Sequence, residues 1–136
     1  MTTVGEIVRG QELAQLSSAS TIREAARYMV EHGVGSVLVM ENEALRGIFT
    51  ERDALRIFVA TRRNPDHTHL ADVMTKAPRT LSPEATLREA AQTILDTRVR
   101  NLIVTDRGTL TGLLSVSDIV QFVDEQVRRV LYSPAV

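Results

Sequence analysis

Apolar residues recur with a helical period in two stretches of the chain. After Thr21 they are spaced three and four residues apart, as on one face of an amphipathic helix: Ile22, Ala25, Ala26, Met29 and Val30. After Thr86 the spacing returns: Leu87, Ala90, Ala91, Ile94 and Leu95. A glutamate stands three residues after each threonine, which is the spacing of a capping box. The pattern therefore predicts two helices with defined starts.

Short apolar runs follow each predicted helix. Residues 37–40 and 45–49 are separated by a polar turn, and residues 102–104 and 110–114 repeat the arrangement. Runs of this length around a turn predict β-hairpins with largely buried strands. A further amphipathic helix is predicted to begin at Asp53 and again at Asp118. The apolar segments 4–8 and 70–74 predict an edge strand or a short helix before each first helix.

These elements form one repeat that occurs twice at a constant offset of 65 positions. The hexapeptide at residues 21–26 returns at 86–91, and the heptapeptide at 47–53 returns at 112–118. Each copy reads strand, helix, strand, strand, helix, which predicts an α/β (α+β) fold. We place the first copy at residues 1–61, a linker at 62–68, the second copy at 69–124 and a helical tail at 125–136. A chain of 136 residues can bury only one shared core, so two related sites are expected to face each other.

Composition narrows the classes of function. Because 16 Lys and Arg are offset by 17 Asp and Glu, the chain lacks the basic field that nucleic-acid binding needs. No apolar run is long enough to span a bilayer and no signal segment opens the chain, so a cytoplasmic protein without a membrane partner is expected. Cysteine is absent, and no motif pairs a nucleophile with a base or builds a metal site. An enzyme is therefore not expected.

The two heptapeptides carry a resemblance to a known family. Residues 47–53 and 112–118 resemble the Gly-apolar-apolar-Ser/Thr-x-x-Asp signature of CBS domains, and the Ala-Ala helices and residues 73–75 and 81–83 are similar to the rest of that pattern. The resemblance covers about residues 4–120. It implies a Bateman module: two CBS motifs related by a pseudo-twofold axis, with two small three-stranded sheets packed together and helices outside. It also implies a homodimer formed through the helices.

The resemblance further implies a function. Such modules bind adenosine-containing ligands in the clefts between the motifs, so a regulatory ligand such as AMP, ADP or ATP is expected, with an effector protein that reads the change and no other cofactor. S-adenosylmethionine is an alternative ligand. A ligand-independent dimerisation scaffold is a second alternative, which the apolar tail favours.

Four residues at the predicted strand-to-helix junctions are candidates for the ribose and phosphate. A helix N-terminus presents unpaired N–H groups that can donate to phosphate oxygens. An ionised Asp in the first turn of the helix can accept hydrogen bonds from the two hydroxyls of a ribose. The resemblance assigns those roles to Asp53 and Asp118, with hydroxyls from Thr50 and Ser115. Ser/Thr-x-x-Asp is equally the pattern of a helix cap, and both interpretations can hold together.

A fifth candidate makes the two sites unequal. Arg98 resembles the phosphate-contacting arginine of the modules in AMP-activated kinase, whereas its counterpart in the first copy is Gly33. The Asp118 site is therefore the better candidate for a phosphorylated ligand. Exposure to solvent or core packing explains the weaker candidates equally well; these are Arg52, Arg100, His32, Val8, Met74, Ala77 and Pro78. For Gly47 and Gly112, inside the predicted strands, close helix packing and a passing ligand edge remain alternatives.

Overall fold

A computed structural model describes residues 2–76 and 78–132, and these fall into two compact units. One unit comprises residues 12–78 and is called here the Asp53 unit; the other comprises residues 1–11 and 79–136 and is called the Asp118 unit. The units do not follow the repeat along the chain, because the leading segment of each copy belongs to the unit built from the other copy. Helix α1 (Val4–Val8), which precedes the first copy, thus lies in the Asp118 unit.

The Asp53 unit is a four-stranded sheet with three helices. Its elements in chain order are β1 (Gln15–Ser17), α2 (Ile22–His32), β2 (Ser36–Glu41), β3 (Ala44–Thr50), α3 (Glu51–Ala60), α4 (Leu70–Val73) and β4 (Thr75–Lys76). The strand order is β1-β2-β3-β4, with β1 parallel to β2 and the other pairs antiparallel. A bulge between Val39 and Met40 interrupts the hairpin register.

The Asp118 unit repeats this plan around a three-stranded sheet. Its further elements are β5 (Thr80–Leu81), α5 (Leu87–Thr97), β6 (Asn101–Asp106), β7 (Thr109–Ser115) and α6 (Val116–Tyr132). The strand order is β5-β6-β7, with β5 parallel and β7 antiparallel to β6. The hairpin bulge recurs between Val104 and Thr105. The matching bulges show that the repeat extends to backbone detail.

The predicted fold class is confirmed, together with the helices and hairpins of both copies. Thr21 and Thr86 cap α2 and α5, accepting bonds from the backbone N–H of Glu24 and Glu89. Segments 4–8 and 70–74, predicted as edge strand or short helix, form the helices Val4–Val8 and Leu70–Val73. One sheet has the expected three strands and the other has β4 as a fourth. Strands β1, β4 and β5 were not predicted because two or three residues are too few to show a period of two.

Each unit buries an apolar core of its own, which differs from the single shared core expected from the chain length. In the Asp53 unit the sheet packs against α2, α3 and α4 through nine buried residues: Ile22, Ala25, Met29, Val37, Val39, Phe49, Ala54, Ile57 and Leu70. In the Asp118 unit six buried residues come from α1, α5 and the hairpin: Val4, Val8, Ala90, Leu102, Val104 and Leu114. These cores are the helix and strand faces that the apolar spacing predicted.

The two strand glycines are sites of close packing by the leading segments. A Cβ added to Gly112 would lie 2.6 Å from Cβ of Val8 in α1. A Cβ added to Gly47 would lie 2.8 Å from Sδ of Met74 and 2.5 Å from the carbonyl oxygen of Thr75. Real Cβ atoms essentially never come so near another heavy atom. Close helix packing, one of the two alternatives, is thus found at Gly112, whereas Gly47 is packed by the end of α4 and by β4.

A glutamine side chain completes the sheet of the Asp118 unit. Leu113 of β7 donates its N–H to Oε1 of Gln11 at 2.8 Å, and its carbonyl accepts from Nε2 of Gln11 at 3.0 Å. In the Asp53 unit β4 pairs with β3 at the corresponding place, where Ile48 lies opposite Thr75. The amide of Gln11 therefore satisfies the backbone groups that a fourth strand would otherwise pair.

Helix α6 runs beyond the length of its counterpart α3 and is largely exposed in its last three turns. Ion pairs at i, i+4 join Asp124 to Arg128 at 3.0 Å and Glu125 to Arg129 at 2.9 Å, an arrangement that supports an exposed helix. Residues 133–136 of the predicted tail lie outside the described residues. In ranges 2–76 and 78–132, no helix is long and apolar enough to cross a membrane.

Candidate functional site

The start of α3 holds two of the predicted site residues in a reciprocal cap. The N–H of Thr50 donates to Oδ2 of Asp53 at 3.0 Å, and the N–H of Asp53 donates to Oγ1 of Thr50 at 3.1 Å. Thr50 ends β3 with extended backbone, so the chain turns directly from a sheet strand into a helix. The capping interpretation of this Thr-x-x-Asp sequence is confirmed.

The start of α6 has the same geometry. The N–H of Ser115 donates to Oδ2 of Asp118 at 2.8 Å, and the N–H of Asp118 donates to Oγ of Ser115 at 3.1 Å. Both aspartates are partly buried. The cap uses one carboxylate oxygen and fixes the side chain, which leaves the other oxygen to accept further hydrogen bonds.

The oxygen that the cap leaves free, Oδ1, has a different environment in Asp53 and in Asp118. Oδ1 of Asp53 lies 3.3 Å from Nη2 of Arg56, one turn further along α3. The Asp53 side chain is 17% exposed and that of Arg56 is 61% exposed. The residue matching Arg56 is Gln121, and within the described part of the chain no side chain hydrogen-bonds Oδ1 of Asp118. Sequence reasoning missed Arg56, although the i, i+3 spacing of Asp and Arg on a predicted helix indicates such a pair.

Arg98 lies at the end of α5 in a backbone conformation that ordinarily favours glycine. It is the C-cap of α5, with φ 57° and ψ 20°, and Gly33 caps α2 with φ 63° and ψ 34°. A left-handed conformation costs a non-glycine residue about 1 to 2 kcal/mol. The Arg98 side chain is exposed, so no core packing offsets this cost. Strain of this kind is a reason to ask whether the side chain has a function.

Backbone bonds place Arg100 next to the first turn of α6. The N–H of Val116 donates to the carbonyl of Arg100 at 3.1 Å, and in the other unit the N–H of Glu51 donates to the carbonyl of Gly35 at 2.9 Å. A Cβ on Gly35 would lie 3.3 Å from Oε1 of Glu51, so that carboxylate lies over the glycine. The Asp118 unit thus has an arginine beside a valine where the Asp53 unit has a glycine beside a carboxylate.

The weaker candidates are distributed between surface and core. Arg52 is exposed on α3, and Pro78 is half-buried. His32 is exposed and stacks on Tyr28 with ring centroids 3.9 Å apart. Val8 and Met74 pack against the strand glycines, and Ala77 lies outside the described residues. Their ligand-binding roles remain predictions.

The two junctions offer hydrogen-bond acceptors and positive charge, which is the chemistry needed to bind hydroxyls and anions. A fixed carboxylate can accept from vicinal hydroxyls, and guanidinium groups can bind phosphate in a bidentate manner. Within residues 2–76 and 78–132, no group of three or more His, Asp or Glu could hold a metal ion.

Comparison with known proteins identifies the repeat. The family model described as CBS domain matches residues 4–60 and again residues 70–125. The CBS domain-containing protein CBSX3, mitochondrial, of Arabidopsis thaliana is 34% identical over 117 residues, which are 82% of this chain and 56% of that protein. The chain therefore spans little more than half the length of this relative.

Solved structures share the fold. The CBS domain structure NE2398 superposes with a TM-score of 0.84 and 29% identity, covering 91% of this chain and 99% of that one. CBSX2, which was solved in complex with AMP, superposes with a TM-score of 0.81 over 94% of this chain and 100% of its own. Its identity of 24% supports a common fold only. The duplicated capped junction, the matching sheets and the two family matches together show that this chain belongs to the CBS domain family, of which it carries two tandem copies.

Proposed function

We propose that this chain is a regulatory module that binds an adenine nucleotide, namely AMP, ADP or ATP, and signals its presence to an effector protein. The observation that carries the proposal is the duplicated junction at which Asp53 and Asp118 are fixed by reciprocal caps at a helix start. In each unit the carboxylate binds the ribose hydroxyls, and the hydroxyl of Thr50 or Ser115 lies beside the sugar. CBSX2, which shares this fold, was solved in complex with AMP, so AMP is the first ligand to test.

Regulation follows if the ligand binds two arrangements of the protein with different affinity. A ligand shifts a conformational equilibrium only by its differential affinity for the two states. The nucleotide is therefore a signal and is not chemically changed. An effector that contacts one arrangement better than the other senses the nucleotide concentration.

Isothermal titration of the full chain with AMP, ATP and S-adenosylmethionine tests the proposal. We expect saturable heat with at least one adenine nucleotide. Replacing both aspartates, Asp53→Asn with Asp118→Asn, should lower the affinity at least about tenfold, because a hydrogen bond to a charged group contributes about 1.5 to 3 kcal/mol. Asparagine keeps an oxygen that can accept the capping bond, so the helix starts are preserved.

The matched control is Asp124→Asn with Glu125→Gln on the exposed part of α6. It removes the same two charges and breaks only surface ion pairs with Arg128 and Arg129, so nucleotide affinity should not change. Absence of heat with all three ligands in the wild-type chain would end the proposal. If the control and the double variant lose the same amount of nucleotide affinity, the loss reflects the change in overall charge and not a binding site at the aspartates.

We propose further that the exposed helix surfaces are covered by a second copy of the chain. Three exposed apolar positions of α2 and α3 recur 65 residues later on α5 and α6; they are Val30 with Leu95, Leu55 with Val120, and Phe58 with Val123. Their exposure lies between 44% and 83%. Val30 and Phe58 line one shallow groove of about 320 Å³. Exposed apolar patches mark interaction surfaces, and a twofold homodimer would cover the same patch on both chains.

Sedimentation velocity of two charge variants tests the homodimer. We expect Phe58→Glu and Val123→Glu each to convert a wild-type dimer into a monomer, because a carboxylate buried in an apolar interface loses its hydration without a partner. Gln15→Glu on exposed strand β1 is the control and should sediment as the wild type does. A monomeric wild-type chain, or a dimer that survives both substitutions, would refute this interface.

A further inference from the structure

The two copies of the repeat share the backbone geometry of the strand-to-helix junction but differ in the charged side chains around it. Five pairs of residues at the 65-position offset change character between the Asp53 unit and the Asp118 unit; they are Gly33 and Arg98, Gly35 and Arg100, Glu51 and Val116, Arg52 and Ser117, and Arg56 and Gln121. The backbone bonds at the two junctions are the same, so these side chains act on otherwise equivalent sites.

In the Asp118 unit the charges favour an anion. Arg98 and Arg100 lie in the segment between α5 and β6, and the carbonyl of Arg100 is bonded to the first residue of α6. That first residue is Val116, which brings no charge to the helix start. Asp118 has a second oxygen that accepts no hydrogen bond from the described side chains. The backbone therefore brings the segment that carries two arginines beside the helix start that carries an open carboxylate.

In the Asp53 unit the corresponding charges are already paired or reversed. The first residue of α3 is Glu51, whose carboxylate lies over Gly35, where the other unit carries Arg100. A carboxylate in the first turn interacts favourably with the helix dipole and so takes the place of an incoming anion. Arg56 engages the second oxygen of Asp53 at 3.3 Å. Arg52 adds one exposed positive charge, which offsets Glu51 without supplying the arginine pair of the other unit.

We infer that the two sites take different chemical forms of the ligand: the Asp118 site binds the phosphorylated nucleotide, and the Asp53 site binds at most the uncharged nucleoside. This inference rests on the proposed function, because it assumes that both aspartates bind a ribose. It assigns specificity above all to Glu51 and Val116, which occupy a position that the family signature leaves unspecified. Net charge around each junction, and not the cap geometry, decides between nucleotide and nucleoside.

Titrations with AMP and adenosine, each on single-site variants of the full chain, test the inference. In Asp53→Asn only the Asp118 site keeps its charge, and AMP should bind at least about tenfold more tightly than adenosine, because two arginines are available to the phosphate. In Asp118→Asn only the Asp53 site remains, and adenosine should bind as well as AMP or better. The same ratio of AMP to adenosine affinity in both variants would overturn the inference.

The charge at the first helical position is tested separately by Val116→Glu and Val116→Gln in the Asp53→Asn background. The two substitutions have nearly the same shape, so their difference measures charge. AMP should bind about two- to fivefold more weakly to the Glu variant than to the Gln variant, as expected for one charge in the first turn of a helix, whereas adenosine should not distinguish them. Equal AMP affinities would overturn the role of this position. If neither probe binds the wild-type chain, the proposed function fails and not merely this refinement.

Discussion

A valine in place of Gly112 is expected to destabilise the protein by about 3 kcal/mol, the upper end of the cost of overpacking a core. The added side chain would point into Val8 of α1, whose Cβ already lies 2.6 Å from the ideal position of a Cβ on residue 112. Both residues are buried, so neither can move into solvent. Urea unfolding followed by circular dichroism should show a lower midpoint with an unchanged slope.

A double-mutant cycle identifies the contact. Gly112→Ala and Val8→Ala should each destabilise the chain, the first by overpacking and the second by opening a cavity. The double variant should be destabilised by at least about 1 kcal/mol less than the sum of the two single effects. The reason is that removing the methyl groups of Val8 makes room for the methyl group added at residue 112. Ile7→Ala is the control. Ile7 packs against the same core, but the atoms nearest Gly112 all belong to Val8. The effects of Ile7→Ala and Gly112→Ala on the free energy of unfolding should therefore add. Additive effects in the Val8 cycle would contradict the packing of α1 on β7.

This packing marks the limit of what the sequence could predict about the fold. Helices α2 and α5 and both hairpins follow from local apolar spacing and capping residues, because those signals lie within the elements themselves. The position of α1 does not, since its partner in β7 lies about 100 residues later in the chain. A glycine in the middle of a strand indicates a close neighbour without naming it.

The site residues also divide into those that a local sequence pattern predicts and those that it does not. Thr50 and Asp53 could be predicted because a capping box is a local pattern, and its recurrence at Ser115 and Asp118 strengthened that prediction. Arg56 was missed although its i, i+3 spacing from Asp53 indicates an ion pair, and Glu51 was missed because a single exposed charge on a helix carries no distinctive pattern. The structure draws attention to both residues because it shows Arg56 on Asp53 and the carboxylate of Glu51 over Gly35.

Arg98→Gly is expected to make the protein more stable and a weaker nucleotide binder. The substitution relieves a left-handed residue at φ 57° and should raise the free energy of unfolding by about 1 kcal/mol, as glycine adopts this conformation without a steric cost. If the guanidinium binds phosphate in a bidentate manner, AMP affinity should fall ten- to a hundredfold. Opposite signs for stability and affinity distinguish a functional arginine from a residue that merely ends a helix.

Two further variants separate the contributions of the positive charge, the planar guanidinium and the left-handed backbone at Arg98. Arg98→Lys keeps the cation and the strained backbone but loses the planar fork, so it should leave stability unchanged and bind AMP with intermediate affinity. The reciprocal Gly33→Arg should destabilise the chain by about 1 kcal/mol, since it imposes on α2 the strain that α5 already bears. Urea midpoints and isothermal titration measure the two quantities on the same samples. An AMP affinity that does not change in Arg98→Gly would remove this arginine from the site, and the left-handed cap of α5 would then be a cost that nucleotide binding does not explain.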